Sequence, residues 1–503
     1  MNVFSFVISL GIGICLLPYL INHLGRSAYG FIPIAGMLTH GVHLISQSIA
    51  LSVNRFLTIA IQRDDPKEAN EIFSTAFFSY VGLGLAHLLV FTVIIQNVNS
   101  FINVPDELYT DAIILLSCSA ITFSLNLTGS IFQVPFFAYN RIDIIRSVDI
   151  GRLVVRTLGI ISLFFFFSPM LRFIGYVDLS VSIGAFILNV VIGKKLVPFL
   201  KIDIRLYDWK KIHDLVNTGG WLLLNSLGVL LFTQTDVWVC NMFVGINEAG
   251  EYAALFQITN LLRRSGMVMI TVLAPMIMIY YARSELDNLT RLCKNSVRMI
   301  SLVLVIPISL VCVFSPLILK FWFGETFVQS WPLLVIMVSP FIFNLAIMPV
   351  IQLQVASNFV KVPALVTVFM GIGNLATAIF FSKYLEFGVY GVASVRVLFV
   401  FIKNIVFTSI YGAVILKQPW HTFLTPLCPS MLFLAIFTVI SGIFNYYFKP
   451  TSLIYLSIIM MILGIIGLGF LAFILTERDR KIIYHMVPAR FHPFFKRYKG
   501  NCK

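Results

Sequence analysis

The chain has 503 residues, of which 59% are hydrophobic and only 12% are charged, with a mean hydropathy of +0.93. A soluble domain needs roughly twice that share of charge to cover its surface, so composition excludes a soluble globular protein and indicates a polytopic membrane protein. The net charge of +14 does not mark a nucleic-acid binder, because the basic residues fall in short connectors and a tail between apolar runs, as membrane topology requires.

The N-terminus enters an apolar run at once, Val3 to Ile21, with no basic lead and no small-residue cleavage site. It reads as a retained first helix rather than a cleaved signal. With a membrane-length window, about 14 transmembrane helices are expected. Their approximate spans are 3–22, 31–61, 71–97, 109–138, 150–168, 173–198, 215–243, 250–281, 293–316, 331–356, 361–382, 387–415, 424–447 and 452–475. The predicted fold class is therefore all-α: two six-helix lobes related by an internal repeat, plus two C-terminal helices.

Basic residues orient these spans. With a cytoplasmic N-terminus, the inner connectors hold Arg63, Lys67, Arg141, Arg146, Lys194, Lys195, Lys201, Arg205, Lys210, Lys211, Arg283, Arg291, Lys294, Lys361 and Lys417, and the tail holds eight more. The outer connectors hold only Arg26, Arg172, Lys320, Lys383 and Lys449. Both termini are thus expected inside. The most hydrophilic connector, 201–214, is expected to link an N-lobe (1–200) to a C-lobe (215–418), followed by helices over 419–475 and a basic tail over 476–503. That tail interleaves aromatics with cations and suits anionic membrane lipid.

An internal repeat supports two lobes. "NHLGRSAYGF" aligns with "NMFVGINEAGEY" through Gly25/Gly30 and Gly245/Gly250. At nearly the same offset Phe101 meets Phe321, Asn126 meets Asn344 and Asn140 meets Asn358.

Polar residues inside the spans carry the functional signal, because a charge at mid-membrane costs at least about 3 kcal/mol by insertion scales. In the eighth predicted helix, Gln257, Asn260 and Arg264 share one stripe, while Arg263 is turned by about 100° onto the flank. In the second, His40, His43, Gln47 and Asn54 share a face, with Ser48 and Arg55 beside it. In the twelfth, Arg396 and Lys403 lie on one face. In the seventh, Thr218, Asn225 and Asp236 lie close to one line. Arg55 and Lys403 are near inner helix ends, where snorkelling to the headgroups is an equal alternative. Asp236 suits either an arginine partner or an ion-coupling role. A cationic cavity with neutral polar neighbours suits an anion carrying a sugar-like headgroup: guanidinium binds pyrophosphate oxygens bidentately, and Asn and Gln suit hydroxyls. No nucleotide-binding loop, catalytic triad or metal-ligand spacing is visible, and the seven cysteines are scattered. No resident cofactor is expected, and the chain is not expected to be an enzyme.

The segments "LPYLINHLGRSAYGF", "NRFLTIAIQRDDPKEANEIFSTAF", "LNSLGVLLFTQTDVWVCNMFVGINEAGEYA", "APMIMIYYAR" and "LKFWFGETF" resemble the polysaccharide and O-antigen flippases of the multidrug/oligosaccharidyl-lipid/polysaccharide exporter superfamily. The resemblance implies alternating access between two lobes in a bacterial inner membrane. It implies translocation of a polyprenyl-pyrophosphate-linked oligosaccharide for O-antigen or capsule synthesis, with the polysaccharide polymerase machinery as a further partner. On this reading Arg264, Arg396 and Arg55 would hold the pyrophosphate, Arg263 on the flank would widen the positive surface or pair with Asp236, and Gln257, Asn260, Gln47 and Asn225 would contact sugar or phosphate. Coupling to H+ or Na+ would involve Asp236. The related lipid II flippases have cavity arginines in helices two and eight, matched here by Arg55 and Arg264. Two alternatives stand beside this reading, a lipid II or teichoic-type precursor flippase and a cation-coupled multidrug antiporter. Multidrug exporters of the superfamily have an acidic ion site in the N-lobe, and no strong acidic cluster is legible there in this sequence.

Overall fold

The computed structural model describes residues 2–37, 53, 56–58, 60–61, 63, 65–139, 141–209 and 224–474. Among them every regular element is helical. Each expected span is helical over most of its described residues. Among the described residues nine helices are long and apolar enough to cross a membrane, and two shorter apolar helices lie at Gly11–Leu24 and Leu224–Thr233. Only 22% to 67% of the most apolar stretch of each of the nine is buried. The uncovered faces carry Leu85, Leu89, Ile187, Leu432 and Tyr447, an apolar surface that lipid rather than water suits. Aromatic residues cluster at helix ends, as at Phe165–Phe167 and Tyr446–Phe448, where membrane interfaces favour them. The protein is a multi-pass, all-α membrane protein.

Local sequence signals set the helix ends. Pro66 opens the helix Pro66–Gln96, and the Asp65 side chain accepts from the backbone N–H groups of Lys67 and Glu68 at 3.1 and 3.0 Å. Proline at the first turn and a capping carboxylate satisfy donors that a helix start leaves open. The expected break at Pro169 is present: one helix ends at Phe166 and the next begins at Leu171. The fifth span differs from expectation at its other end. Its helix starts at Ile142, so Asp143, Arg146, Asp149, Arg152 and Arg156 are all helical.

The described residues form two compact units, Met1–Ala254 with Ile379–Val389, and Leu255–Ala378 with Tyr390–Lys503. In the first, the helices Tyr109–Ser130 and Leu171–Leu196 pack closely, since a side chain at Gly175 would touch Leu115 and Cys118. Small residues let membrane helices approach this way. At one end Leu57, Ile72, Phe73, Tyr80, Leu127, Ile131 and Phe132 form an apolar core. The first part of the expected linker is tied to this unit rather than free. The Ser74 hydroxyl donates to the Lys201 carbonyl and accepts from the Asp203 N–H, at 3.1 and 3.2 Å. The Asp208 N–H donates to Thr75 Oγ1 at 3.0 Å. Residues 210–223 lie outside the described set.

In the second unit the helix Leu286–Val313 is the core. It is buried on most sides, through Leu302, Val305, Ile306, Ile308 and Leu310. The C-terminal helices Cys428–Phe448 and Leu453–Ile474 pack on it. A side chain at Gly467 would meet both Phe437 and Ile306.

Candidate functional site

Three of the predicted arginines come together in the second unit. Arg263 and Arg264 lie near the middle of the helix Ile246–Ala282, and Arg396 lies on the helix Gly388–Phe401. The Arg396 guanidinium sits over the Phe256 ring, 4.6 Å from its centroid. Such a contact holds a planar cation at an apolar surface for about 0.5–2 kcal/mol. The charge on Arg263 interacts with those on Arg396 and Arg264, so the cluster concentrates like charge. Like charges at membrane depth are costly, and a ligand of opposite sign would relieve them.

The stripe read from helical spacing has the expected gradient of exposure. Gln257 and Asn260 are half-buried and Arg264 is exposed, while Ile258 and Thr259 on the other side are buried. Thr259 is turned inward and its hydroxyl donates to the Phe256 carbonyl at 2.7 Å. Arg263 is half-buried. Lys403 is also half-buried and stands in a π-helical stretch, Ile402–Thr408, where the Thr408 hydroxyl donates to the Lys403 carbonyl at 3.0 Å. Such widened turns re-aim side chains and are common at functional positions.

Two further predicted residues lie in the first unit. Asn225 is half-buried on the helix Leu224–Thr233. Asp236 is 2% exposed, and its carboxylate accepts from the Tyr252 hydroxyl at 2.9 Å. Arg55 and Gln47, with His40, His43 and Asn54 of the same predicted helix, lie outside the described residues.

A second polar cluster was not expected from the sequence. Arg152 and Arg156 on the helix Ile142–Phe166 face Asn126, Asp178 and Ser182 from two neighbouring helices. Arg152 Nη2 donates to Asn126 Oδ1 at 2.7 Å and to Ser182 Oγ at 3.3 Å. The Arg156 guanidinium forms a bidentate pair with the Asp178 carboxylate, through Nε to Oδ1 and Nη2 to Oδ2. Arg152, Arg156, Asp178 and Ser182 line a cavity of about 320 Å³ with Thr122, Asp149, Leu153 and Val181. Asp149 and Asp178 share this cavity, each with an arginine beside it. They are far apart in sequence and each is embedded among apolar residues, so only the packing of two helices joins them. The available signal was the i, i+3 and i+7 spacing of Asp149, Arg152 and Arg156, which puts three charges on one helical face.

A third set of contacts joins the two copies of the repeat at their matching turns. Gly30 packs against Gly250, where a side chain would find backbone at 3.1 Å, and a side chain at Gly250 would strike the Arg26 carbonyl. Asn103 and Asn241 bond reciprocally. The Asn103 N–H donates to Asn241 Oδ1 at 2.8 Å, Asn103 Nδ2 donates to the Asn241 carbonyl at 2.9 Å, and Asn241 Nδ2 donates to the Asn103 carbonyl at 3.2 Å. The Trp238 indole donates to the Phe101 carbonyl at 2.7 Å, and Arg26 pairs with Glu251 at 3.4 Å. One glycine of each repeat pair, Gly30 and Gly250, thus lies in this contact.

Comparison with known proteins agrees with this architecture. The chain is 28% identical over 424 residues to the "Uncharacterized membrane protein EpsK" of Bacillus subtilis (strain 168), covering 84% of each chain. It is 24% identical over 412 residues to a Shigella flexneri protein named "Putative O-antigen transporter", covering 79% of this chain and 93% of that one. Among solved structures, the lipid II flippase MurJ in an inward closed conformation matches 93% of this chain and 97% of its own, with a TM-score of 0.70 at 12% identity. An inward-facing multidrug transporter of the same superfamily matches 82% and 94%, with a TM-score of 0.65 at 16% identity. At these identities the structures establish the fold alone, one shared with these membrane transporters. Residues 23–332 match the family described as "Polysaccharide biosynthesis protein", and with helices, repeat and intramembrane cations all in accord, the chain belongs to that family.

Proposed function

We propose that this protein is a flippase that carries a polyprenyl-pyrophosphate-linked oligosaccharide from the inner to the outer leaflet, for O-antigen or capsule synthesis. The observation that carries this reading is the cluster of Arg263, Arg264 and Arg396, flanked by Gln257 and Asn260. Pyrophosphate is the polyvalent anion that such a cluster suits, since guanidinium groups grip it through paired hydrogen bonds. Arg55, Gln47 and Asn225 would complete the site from other helices. The lipid tail stays in the bilayer while the headgroup crosses, so no bond is made or broken.

The transport cycle is alternating access between an N-lobe over 1–200 and a C-lobe over 215–418, joined by the connector 201–214. The reciprocal Asn103–Asn241 bonds and the Gly30–Gly250 contact act as the outer closure, which must open to release the headgroup. Both termini are cytoplasmic and the membrane is the bacterial inner one. Asp236, buried beside Tyr252, couples movement to H+ or Na+. A lipid II or teichoic-type precursor is the second reading, supported by the fold shared with the lipid II flippase. A multidrug antiporter for organic cations is disfavoured by the positive charge of the cluster.

Complementation tests the proposal. The gene is expressed in bacteria that lack their own repeat-unit flippase, and surface polysaccharide is measured. The intact chain restores it. Arg264→Ala and Arg396→Ala abolish the signal while the protein still accumulates in the membrane. Full rescue by both variants would overturn the anion site. Dye efflux without any surface polysaccharide would favour the antiporter.

A further inference from the structure

We infer that the cavity between the helices Tyr109–Ser130, Ile142–Phe166 and Leu171–Leu196 is a carbohydrate subsite, taking one or two sugar rings of the transported headgroup. This deepens the flippase reading and rests on it.

Four observations carry the inference. The first is place. By the 1.5 Å rise of a helix, Arg156 and Arg152 sit about 15 and 21 Å before the apolar end of their helix at Phe166, within a hydrocarbon core about 30 Å thick. Four ionisable groups at that depth are expensive, and pairing explains only two of them fully. Arg156 and Asp178 neutralise each other, yet both keep exposure, 28% and 27% of their side chains, so the pair faces open space.

The second is charge. Arg152 and Arg156 balance Asp149 and Asp178, so the cavity is neutral overall. It is therefore unsuited to the pyrophosphate that the arginine cluster of the other unit attracts. It is equally unsuited to a bare cation, because each carboxylate has an arginine near it. Asp149 pairs with Arg146 at 3.7 Å and lines the cavity with Arg152.

The third is chemistry. The lining combines donors and acceptors: two guanidinium groups, two carboxylates and the Thr122 and Ser182 hydroxyls, with Leu153 and Val181 as apolar patches, while the Asn126 amide oxygen holds Arg152 Nη2. Vicinal hydroxyls of a sugar both donate and accept, so they bridge an acid and a guanidinium. The C–H face of the ring suits the apolar patches. A volume of about 320 Å³ is at the small end of ligand pockets, which fits one or two rings rather than a lipid.

The fourth is the repeat. At the offset that aligns Asn126 with Asn344, Asp178 aligns with Arg396. The two lobes thus place polar groups at equivalent positions, mixed in one and cationic in the other. A headgroup with a pyrophosphate and a sugar has the same division.

The test uses the purified full chain and two probes, farnesyl pyrophosphate for the anion and a panel of neutral mono- and disaccharides at high millimolar concentration. Thermal unfolding is followed for the intact chain, Arg152→Gln, Asp178→Asn, Val181→Phe and Arg264→Gln. At least one saccharide is expected to raise the unfolding temperature of the intact chain. Arg152→Gln, Asp178→Asn and the cavity-filling Val181→Phe lose that rise but keep the one from farnesyl pyrophosphate. Arg264→Gln does the reverse. Val181→Phe leaves both ion pairs in place, so its effect is separate from any folding defect of the charge variants. The inference is overturned if no saccharide raises the intact chain, or if the three cavity variants keep the saccharide rise. It is also overturned if they lose the farnesyl pyrophosphate rise, which would make the cavity an anion site. A saccharide rise of the expected pattern without any response to farnesyl pyrophosphate would leave this subsite standing and sink the pyrophosphate reading instead.

Discussion

The Arg396 guanidinium lies on the Phe256 ring, a contact that orients its plane. Lysine keeps the charge but stacks poorly and binds phosphate as a point charge. Arg396→Lys is therefore expected to retain some transport, about tenfold below the intact chain, if the stacking and bidentate contacts together are worth about 1.4 kcal/mol. Repeat-unit transport rates in the complemented strain, at matched protein levels, measure this; an unchanged rate would remove the stacked geometry from the mechanism. Asp236 presents the opposite case, a buried acid already held by a tyrosine. Tyr252→Phe leaves the carboxylate buried without that donor, and a loss of about 1–3 kcal/mol of stability follows, read as a lower unfolding temperature. Asp236→Asn keeps the shape and removes the charge. If Asp236 couples an ion, transport by this variant no longer responds to the proton or sodium gradient, although the protein accumulates normally.

At the scale of the element, close helix crossings depend on single atoms. Gly250 lies where a methyl group would strike the Arg26 carbonyl. Gly250→Ala is expected to cost about 1–3 kcal/mol through overpacking, seen as a lower unfolding temperature. A cross-link between Asn103→Cys and Asn241→Cys, in a chain freed of its other cysteines, should stop transport until it is reduced. Continued transport by the cross-linked protein would show that this contact need not open. The core helix Leu286–Val313 obeys the packing rule of large-to-small changes. Leu302→Ala is expected to cost about 2–5 kcal/mol, visible as loss of the monodisperse species in detergent. The helix Ile142–Phe166 shows how far spacing alone reaches. Its five charges dilute the apolar signal, so its start was read several residues late, and Arg152 and Arg156 remained unassigned charges within a span. Their partners Asn126, Asp178 and Ser182 come from other helices, which no local pattern can name.

At the scale of the molecule, topology was the more legible property. Each expected span coincides with helix over most of its described residues, because a bilayer requires about twenty apolar residues with their backbone hydrogen bonds closed locally. The excess of Lys and Arg on one side predicts a cytoplasmic C-terminus: a fluorescent protein fused after Lys503 should fluoresce, and a periplasmic phosphatase fused there should be inactive. The sequence by itself determined the class, the helices and the face that Gln257, Asn260 and Arg264 share, since hydropathy and helical periodicity are local quantities. It also held the paired glycines of the repeat, as a spacing without a meaning. Only the tertiary structure decided that Gly30 meets Gly250, that Arg396 joins Arg263 and Arg264, and that Asp149 and Asp178 line one neutral cavity. Those facts depend on which helix faces pack together, and that is settled by side-chain fit between segments far apart in the chain.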